Sequence, residues 1–334
     1  MNRSYIKALT YYLPKQALTN EDLAREFSDP NVEKTAGKVG IDVRYIAAED
    51  ETAGDMAEQA ARNLFQEYNI APETIDFLIL CTESPDYFLP ATACVLQHRL
   101  GIPTNAGALD FNQGCSGYLY GLALAKGLVA ANVAKNILLL TAETYSKHIH
   151  PQDKANRILF GDAASATLIS NEGFAAIGEF SLGTDGAGEN NLIVKTGGIK
   201  HKNALNDFSI DENGAVISSD HLFLNGAEIF SFTQEKVPLL IKDTLLKNKL
   251  EQEQIDLFVF HQSNRFMLDF LRKKIKIDEE KFYYCLSRFG NTVSSTIPIA
   301  LKEAMADNTI KINNKILLAS YGVGYSWAGV VLNF

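Results

Sequence analysis

PETIDFLILCTES (residues 72–84) and EQEQIDLFVFHQSN (residues 251–264) begin about 180 residues apart and share one plan: Ile-Asp, a short apolar run, then a polar turn. Each follows an amphipathic stretch, MAEQAARNLFQEYNI in the first case and FTQEKVPLLIKDTLLKNKL in the second. AKNILLLTAET (134–144) and NNKILLASYGVG (313–324) match at a similar offset, with a polar lead, a buried strand and a turn of small residues. Between the paired strands lies one more unit, GCSGYLYGLALAKGLVAANV in one half and GNTVSSTIPIALKEAMADNT in the other. A recurring order of elements constrains the architecture more than any single residue does. Strands covered on both faces read as continuous apolar runs, so helices alternating with solidly apolar strands predict α/β layers. The reading is two related halves, 1–170 and 171–334, packed as one body. Asn171 to Asp220 departs from the pattern; rich in Gly, Asn and Asp, it reads as turns and short excursions from the core.

Charge and cysteine usage narrow the function classes. A formal net charge of -9 argues against a general nucleic-acid binder. Cys81, Cys94, Cys115 and Cys285 have spacings that fit no zinc or redox pair, so no metal is expected. MNRSYIKALTYYLPK lacks the apolar run of a signal peptide, and no uncharged apolar stretch of about 18 residues occurs. A soluble, reduced, cytoplasmic protein is expected.

Cys115 stands between Gly114 and Gly117, just ahead of an apolar helix predicted from Tyr118 to Val129. A helix N-terminus carries partial positive charge, which is expected to ease loss of the thiol proton. Free cysteine is also among the most buried residue types, and Cys81 and Cys94, without a glycine frame, read as packing residues. In the second half His261 ends the strand IDLFVF, and Asn291 follows Gly290 at the expected mouth of the matching helix. Imidazole accepts or donates a proton, and a carboxamide offers N–H donors to a developing oxyanion. His148 and His150 have metal-like spacing but read as loop residues; His98, His201 and His221 carry no supporting pattern. The turn SYGVGYSW (320–327) is not a dinucleotide signature and offers backbone N–H groups instead.

GCSG, HQSN, GNTVSSTIPIAL and the terminal GxGxSW, together with FGDAASATLI and LPATACVLQHRLGIP, resemble the thiolase-superfamily condensing enzymes, and within them the β-ketoacyl-acyl-carrier-protein synthase III group. The resemblance implies an α/β fold of five layers, αβαβα, made of two related halves. It implies that Cys115 attacks an acyl thioester and holds the acyl group. His261 and Asn291 would then promote decarboxylation of a malonyl thioester, whose carbanion attacks the acyl-cysteine. Backbone N–H groups of Cys115 and Val323 would hold the oxyanion. No cofactor beyond the coenzyme A or acyl-carrier-protein thioester substrates is implied, and neither nucleic acid nor membrane is an expected partner.

Departures from the group's pattern sharpen the picture. Lys34 and Lys38 stand where its initiating members carry a Trp and an Arg near the coenzyme A adenine, and Val323 replaces the middle glycine of the terminal turn. Degradative thiolases use a second cysteine in that turn, which GVG lacks. Two alternatives stay open: a hydroxymethylglutaryl-coenzyme A synthase-like condensation, for which Glu83 stands near the required place, and a non-catalytic partner subunit. A homodimer is expected, with Leu89 to Leu100 near its two-fold interface. Carrier docking is expected on the segment after His261, where Arg265, Arg272, Lys273, Lys274 and Lys276 fall; on a helix Arg265 and Arg272 would project toward solvent, with Phe266, Phe270 and Ile277 along one side.

Overall fold

The computed structural model describes residues 3–212 and 214–334. In chain order the first half contains β1 (Tyr5–Tyr12), β2 (Gln16–Thr19), α1 (Asn20–Phe27), α2 (Asn31–Val39), β3 (Val43–Ile46), α3 (Ala53–Tyr68) and β4 (Phe77–Cys81). It continues through α4 (Thr92–Arg99), β5 (Gly107–Phe111), α5 (Gly117–Ala130), β6 (Ile137–Glu143), α6 (Lys154–Leu159) and β7 (Ala163–Ser170). Next come β8 (Ala175–Ile177), β9 (Ser181–Thr184) and four short strands, β10 (Leu192–Ile193), β11 (Ser209–Ile210), β12 (Val216–Ile217) and β13 (Phe223–Leu224). The chain ends with α7 (Gly226–Asn248), β14 (Leu257–Phe260), α8 (Arg265–Ile275), α9 (Thr296–Ala306), β15 (Lys315–Gly322) and β16 (Ser326–Asn333).

The repeat reappears in strand order. The first half pairs β5-β4-β6-β7-β1, with β4 parallel to β5 and β6 and the last two strands antiparallel. The second pairs β14 parallel to β15, then β16 and β9 antiparallel, and Phe282 bridges Phe258 where β5 stands beside β4. The short β8 pairs with both β1 and β16, so the two sheets join into one. Helices α5 and α9 fill the space between them: Leu119, Leu122, Ile297 and Leu301 pack with Ile79 and Leu139 on one side and Val259, Leu318 and Val330 on the other.

The outer layers follow from side-chain alternation. Leu78 and Leu80 of β4 face Met56, Ala60 and Leu64 of α3, while Ile79 between them points to the central helices. On the far side, Val237 and Ile241 of α7 and Leu268 and Leu271 of α8 cover Phe258, Phe260 and Leu317. The result is five layers. Helix α5 is apolar nearly all round because both of its faces are covered. No helix among the described residues is long and apolar enough to cross a membrane.

Candidate active site

Cys115 lies two residues ahead of α5 and is only 6% exposed. The end of β15 presses directly on it. A Cβ added at Gly322 would stand 2.5 Å from Cys115 Cβ and 2.7 Å from its Sγ, so only glycine lets the strand pass this close. The next residue, Val323, directs its backbone N–H at the Cys115 sulfur. Ser116 and Ser326 bond through their hydroxyls at 2.5 Å, and Ser326 Oγ also donates to Val323 O at 3.0 Å, which ties the mouth of α5 to the turn.

The expected easing of thiol ionisation is not what the structure delivers. Burial, then the Glu83 carboxylate, push the Cys115 thiol well above its ordinary value, and the N–H of Val323 opposes them only in part. The helix argument is local, whereas the burial and the carboxylate come from distant parts of the chain.

His261 follows β14, donates its N–H to Ala319 O at 2.8 Å and is 2% exposed. Burial lowers its imidazole to about 3, so the ring is neutral at physiological pH. Nδ1 lies 2.7 Å from Thr296 Oγ1. The Thr296 hydroxyl also donates to Val293 O at 3.1 Å, a carbonyl that accepts the Thr296 N–H as well. Tyr321, next to Gly322, meets the His261 ring edge-on at 5.7 Å.

Asn291 does not open its helix. A 3₁₀ turn, Val293–Ser295, separates it from α9, which begins at Thr296. It is instead held beside Phe160: its N–H donates to Leu159 O and its carbonyl accepts from Gly161 N–H, both at 3.0 Å. Its Oδ1 accepts the N–H of Val293 at 3.0 Å, which leaves Nδ2 to donate elsewhere. Val293 has φ 53°, an outlier for a β-branched residue, and it packs in the apolar cluster that contains Cys115. One short loop thus connects all three groups: Asn291 to Val293, Val293 to Cys115, and Thr296 to His261.

That cluster also holds Tyr145, Ile149, Phe160, Leu192 and Leu222, gathered from four separate segments. Beside it opens a cleft of about 550 Å³ lined by Glu83, Phe88, Tyr145, His148, Leu192 and Val323, among others. Sequence reasoning missed several of these residues. His148, taken as a loop residue, sits in a 3₁₀ turn, lines the cleft and lies 3.3 Å from Ser84 Oγ through Nε2. His150 stacks on Phe208 and meets His221 edge-on. Thr296 and Tyr321 were inside quoted motifs with no role given. Cys285 is buried in a neighbouring layer and serves packing.

The basic segment after His261 forms α8, but its arginines do not project freely. Arg265 stacks over Tyr284 at 4.1 Å and pairs with Asp269; Arg272, its side chain 13% exposed, bonds the Tyr284 hydroxyl, Ile277 O and Glu279. The chain after α8 folds back and covers them. The buried stripe is Met267, Leu268 and Leu271, while Phe266 is 64% exposed and Ile277 lies beyond the helix end. Lys34 and Lys38 are exposed on α2, which meets α8 where Gly40 touches the Cβ region of Arg265.

Comparison with known proteins bears on what this arrangement is. Residues 109–186 match the family model described as 3-oxoacyl-[acyl-carrier-protein] synthase III, and residues 245–334 match its C-terminal companion. The chain is 34% identical to a β-ketoacyl-[acyl-carrier-protein] synthase III of Clostridium perfringens over 322 residues, 96% of each chain, and 34% identical to one of Caldanaerobacter subterraneus over 97% of this chain and 95% of that one. A crystal structure of a 3-oxoacyl-(acyl-carrier-protein) synthase III matches with a TM-score of 0.96 at 49% identity, covering 99% of this chain and 100% of the other. The Thermus thermophilus enzyme of that name matches at 0.86 with 33% identity, over 99% of both chains. With its thiolase-like fold, the chain belongs to the β-ketoacyl-acyl-carrier-protein synthase III family of condensing acyltransferases.

Proposed function

We propose that Cys115 carries the acyl group in two consecutive steps. In the first, Sγ attacks an acyl thioester; the new S–C bond replaces the old one, and the carrier leaves as a thiol. The oxyanion formed on the way sits between the backbone N–H groups of Cys115 and Val323. The observation that carries this reading is the closeness of Gly322 and Val323 to Cys115, which aims the Val323 N–H at the sulfur. Covalent capture splits one difficult condensation into two easier steps.

In the second step a malonyl thioester loses carbon dioxide, and the enolate attacks the acyl-cysteine to give a β-ketoacyl thioester. We assign the ring proton of His261 to Nε2, so that His261 and Asn291, with Oδ1 already occupied, supply two neutral donors for the enolate oxygen. The steps balance with the two thioesters and these side chains alone, so no resident cofactor is required. The relatives' names specify an acyl carrier protein, and we assign this chain the same class of substrate, with coenzyme A thioesters as the other. Lys34, Lys38 and the Arg265 end of α8 form the candidate docking face. The chain acts as a homodimer through the exposed run Tyr87, Phe88 and Leu89. Four unpaired cysteines suit a reducing cytoplasm.

Intact mass after incubation with acetyl-coenzyme A and acyl-carrier-protein thioesters tests the first step: the acyl mass is expected on wild type and absent from Cys115→Ala. His261→Ala and Asn291→Ala should each slow malonyl decarboxylation by about two to three powers of ten, with a smaller effect on self-acylation. An acyl adduct on Cys115→Ala, or equal loss of both steps in the other variants, would sink the assignment.

A further inference from the structure

Two glutamates raise the Cys115 thiol through their charge, Glu83 from beside Gly114, and neither step above uses them. Their meeting follows from register. In the parallel pair β4–β6, Cys81 stands opposite Thr141, so two residues further on Glu83 and Glu143 fall side by side at the strand ends. Glu143 is fully buried and accepts hydrogen bonds from Glu83 N–H, Ser84 Oγ and, at 3.3 Å, Ser294 Oγ. Glu83 is held differently. Its Oε2 is buried and has no hydrogen-bond partner. That oxygen lies against Gly114, where an added Cβ would stand 2.5 Å from it, and it shares this spot with the side chain of Val323. The carboxyl borders the cleft and acts on the Cys115 thiol more strongly than any other side chain.

A buried carboxylate oxygen with no partner is costly unless something arrives to use it. The missing piece of the acyl-transfer step is a proton acceptor. Sγ must lose a proton and the departing carrier sulfur must gain one, and His261 is too weak a base to take it. We propose that Glu83 is the general base of acyl transfer: Oε2 takes the proton from Cys115 Sγ as Sγ bonds the acyl carbon, and returns it to the carrier sulfur as the old C–S bond breaks. This rests on the reading of Cys115 as the acylated residue.

The surroundings set the operating range. Burial raises Glu83 to about 7, with the Tyr145 hydroxyl opposing, and burial followed by the Glu83 charge raises Glu143 as well. The groups facing the pair are Cys81 from β4, Cys115 ahead of α5, and Tyr145 and His148 from the following turn. Two adjacent buried carboxyls do not both ionise readily, so Glu143 keeps a proton when Glu83 is charged. Glu83 is then protonated and idle in acid, and a free base above about pH 7.

The test is single-turnover acylation by acetyl-coenzyme A and by hexanoyl-coenzyme A, followed by intact mass across pH, on wild type, Glu83→Gln and Glu83→Asp. Glu83→Gln should acylate about a hundredfold more slowly, and the rise in rate near pH 7 should vanish. Alkylation of Cys115 by iodoacetamide should move the other way: with the neighbouring negative charge gone, the thiol ionises more easily and alkylates faster. A general disturbance of the site would slow both reactions. Glu83→Asp keeps an acid and should retain the pH-dependent limb at reduced rate, which serves even if Glu83→Gln does not fold. Wild-type acylation rate and pH profile in Glu83→Gln would overturn the role of Glu83. Failure of wild type to gain an acyl mass on Cys115 would instead overturn the reading beneath it.

Discussion

Gly322→Ala tests how tightly β15 sets Cys115, the proposed nucleophile. The new methyl would stand 2.5 Å from Cys115 Cβ and 2.7 Å from Sγ, against an ordinary contact limit of 3.4 Å, so separations of 0.9 and 0.7 Å must be recovered by subtraction. Both atoms belong to Cys115 itself, and no flexible side-chain end can yield in their place. The Gly322 backbone is extended, at φ 165°, so alanine brings no conformational strain of its own. A nucleophile displaced by roughly 1 Å typically costs about a hundredfold in rate, and overpacking costs about 1–3 kcal/mol in stability. Stopped single-turnover acylation read by intact mass measures the first, and a thermal melt the second. Gly127→Ala is the control: it lies in α5 with open space around it and should be silent in acylation while stabilising the helix by about 0.5–1 kcal/mol. Wild-type acylation in Gly322→Ala would refute the claim that strand approach positions Sγ.

Phe88, 79% exposed between Tyr87 and Leu89, should carry the subunit contact, so Phe88→Asp is expected to lower the light-scattering mass from dimer to monomer at micromolar concentration; an unchanged mass for the variant, or a monomeric wild type, argues against it. His261 titrates at about 3 when folded, below its ordinary 6.5, so the unfolded chain binds the extra proton between those values. Its contribution to stability is complete above pH 6.5 and declines as pH falls toward 3, by about 2 kcal/mol at pH 5. His261→Gln should show that much less acid loss in denaturant titrations at pH 8 and pH 5, and equal slopes would contradict the buried neutral imidazole.

What the sequence made legible was whatever depends on neighbours along the chain. Unbroken apolar strands and an apolar helix between glycines announced elements buried on both sides, and Cys115 and His261 sit at the ends of such elements, where side chains emerge into a crevice. Asn291 was placed at a helix mouth because Gly290 mimics Gly114, yet Pro298 belongs in a first helical turn and so pointed to a later start near Thr296. The direction of the Cys115 thiol and the fate of Arg272 were misread for a shared reason. Each is decided by residues that arrive from elsewhere: burial by distant segments, then Glu83 across the sheet, for the thiol, and Tyr284 with Glu279 folding back over α8 for the arginine. Composition cannot separate a solvated arginine from one bonded beneath a returning segment. Register narrows the gap. TES just after β4 and AET at the end of β6 put a glutamate at corresponding ends of two strands, and once those strands are known to be adjacent and parallel, Glu83 and Glu143 must meet. A charged residue ending a solidly apolar strand is therefore a signal to be read in pairs, because its neighbour across the sheet decides whether it faces water or sits buried beside a like charge.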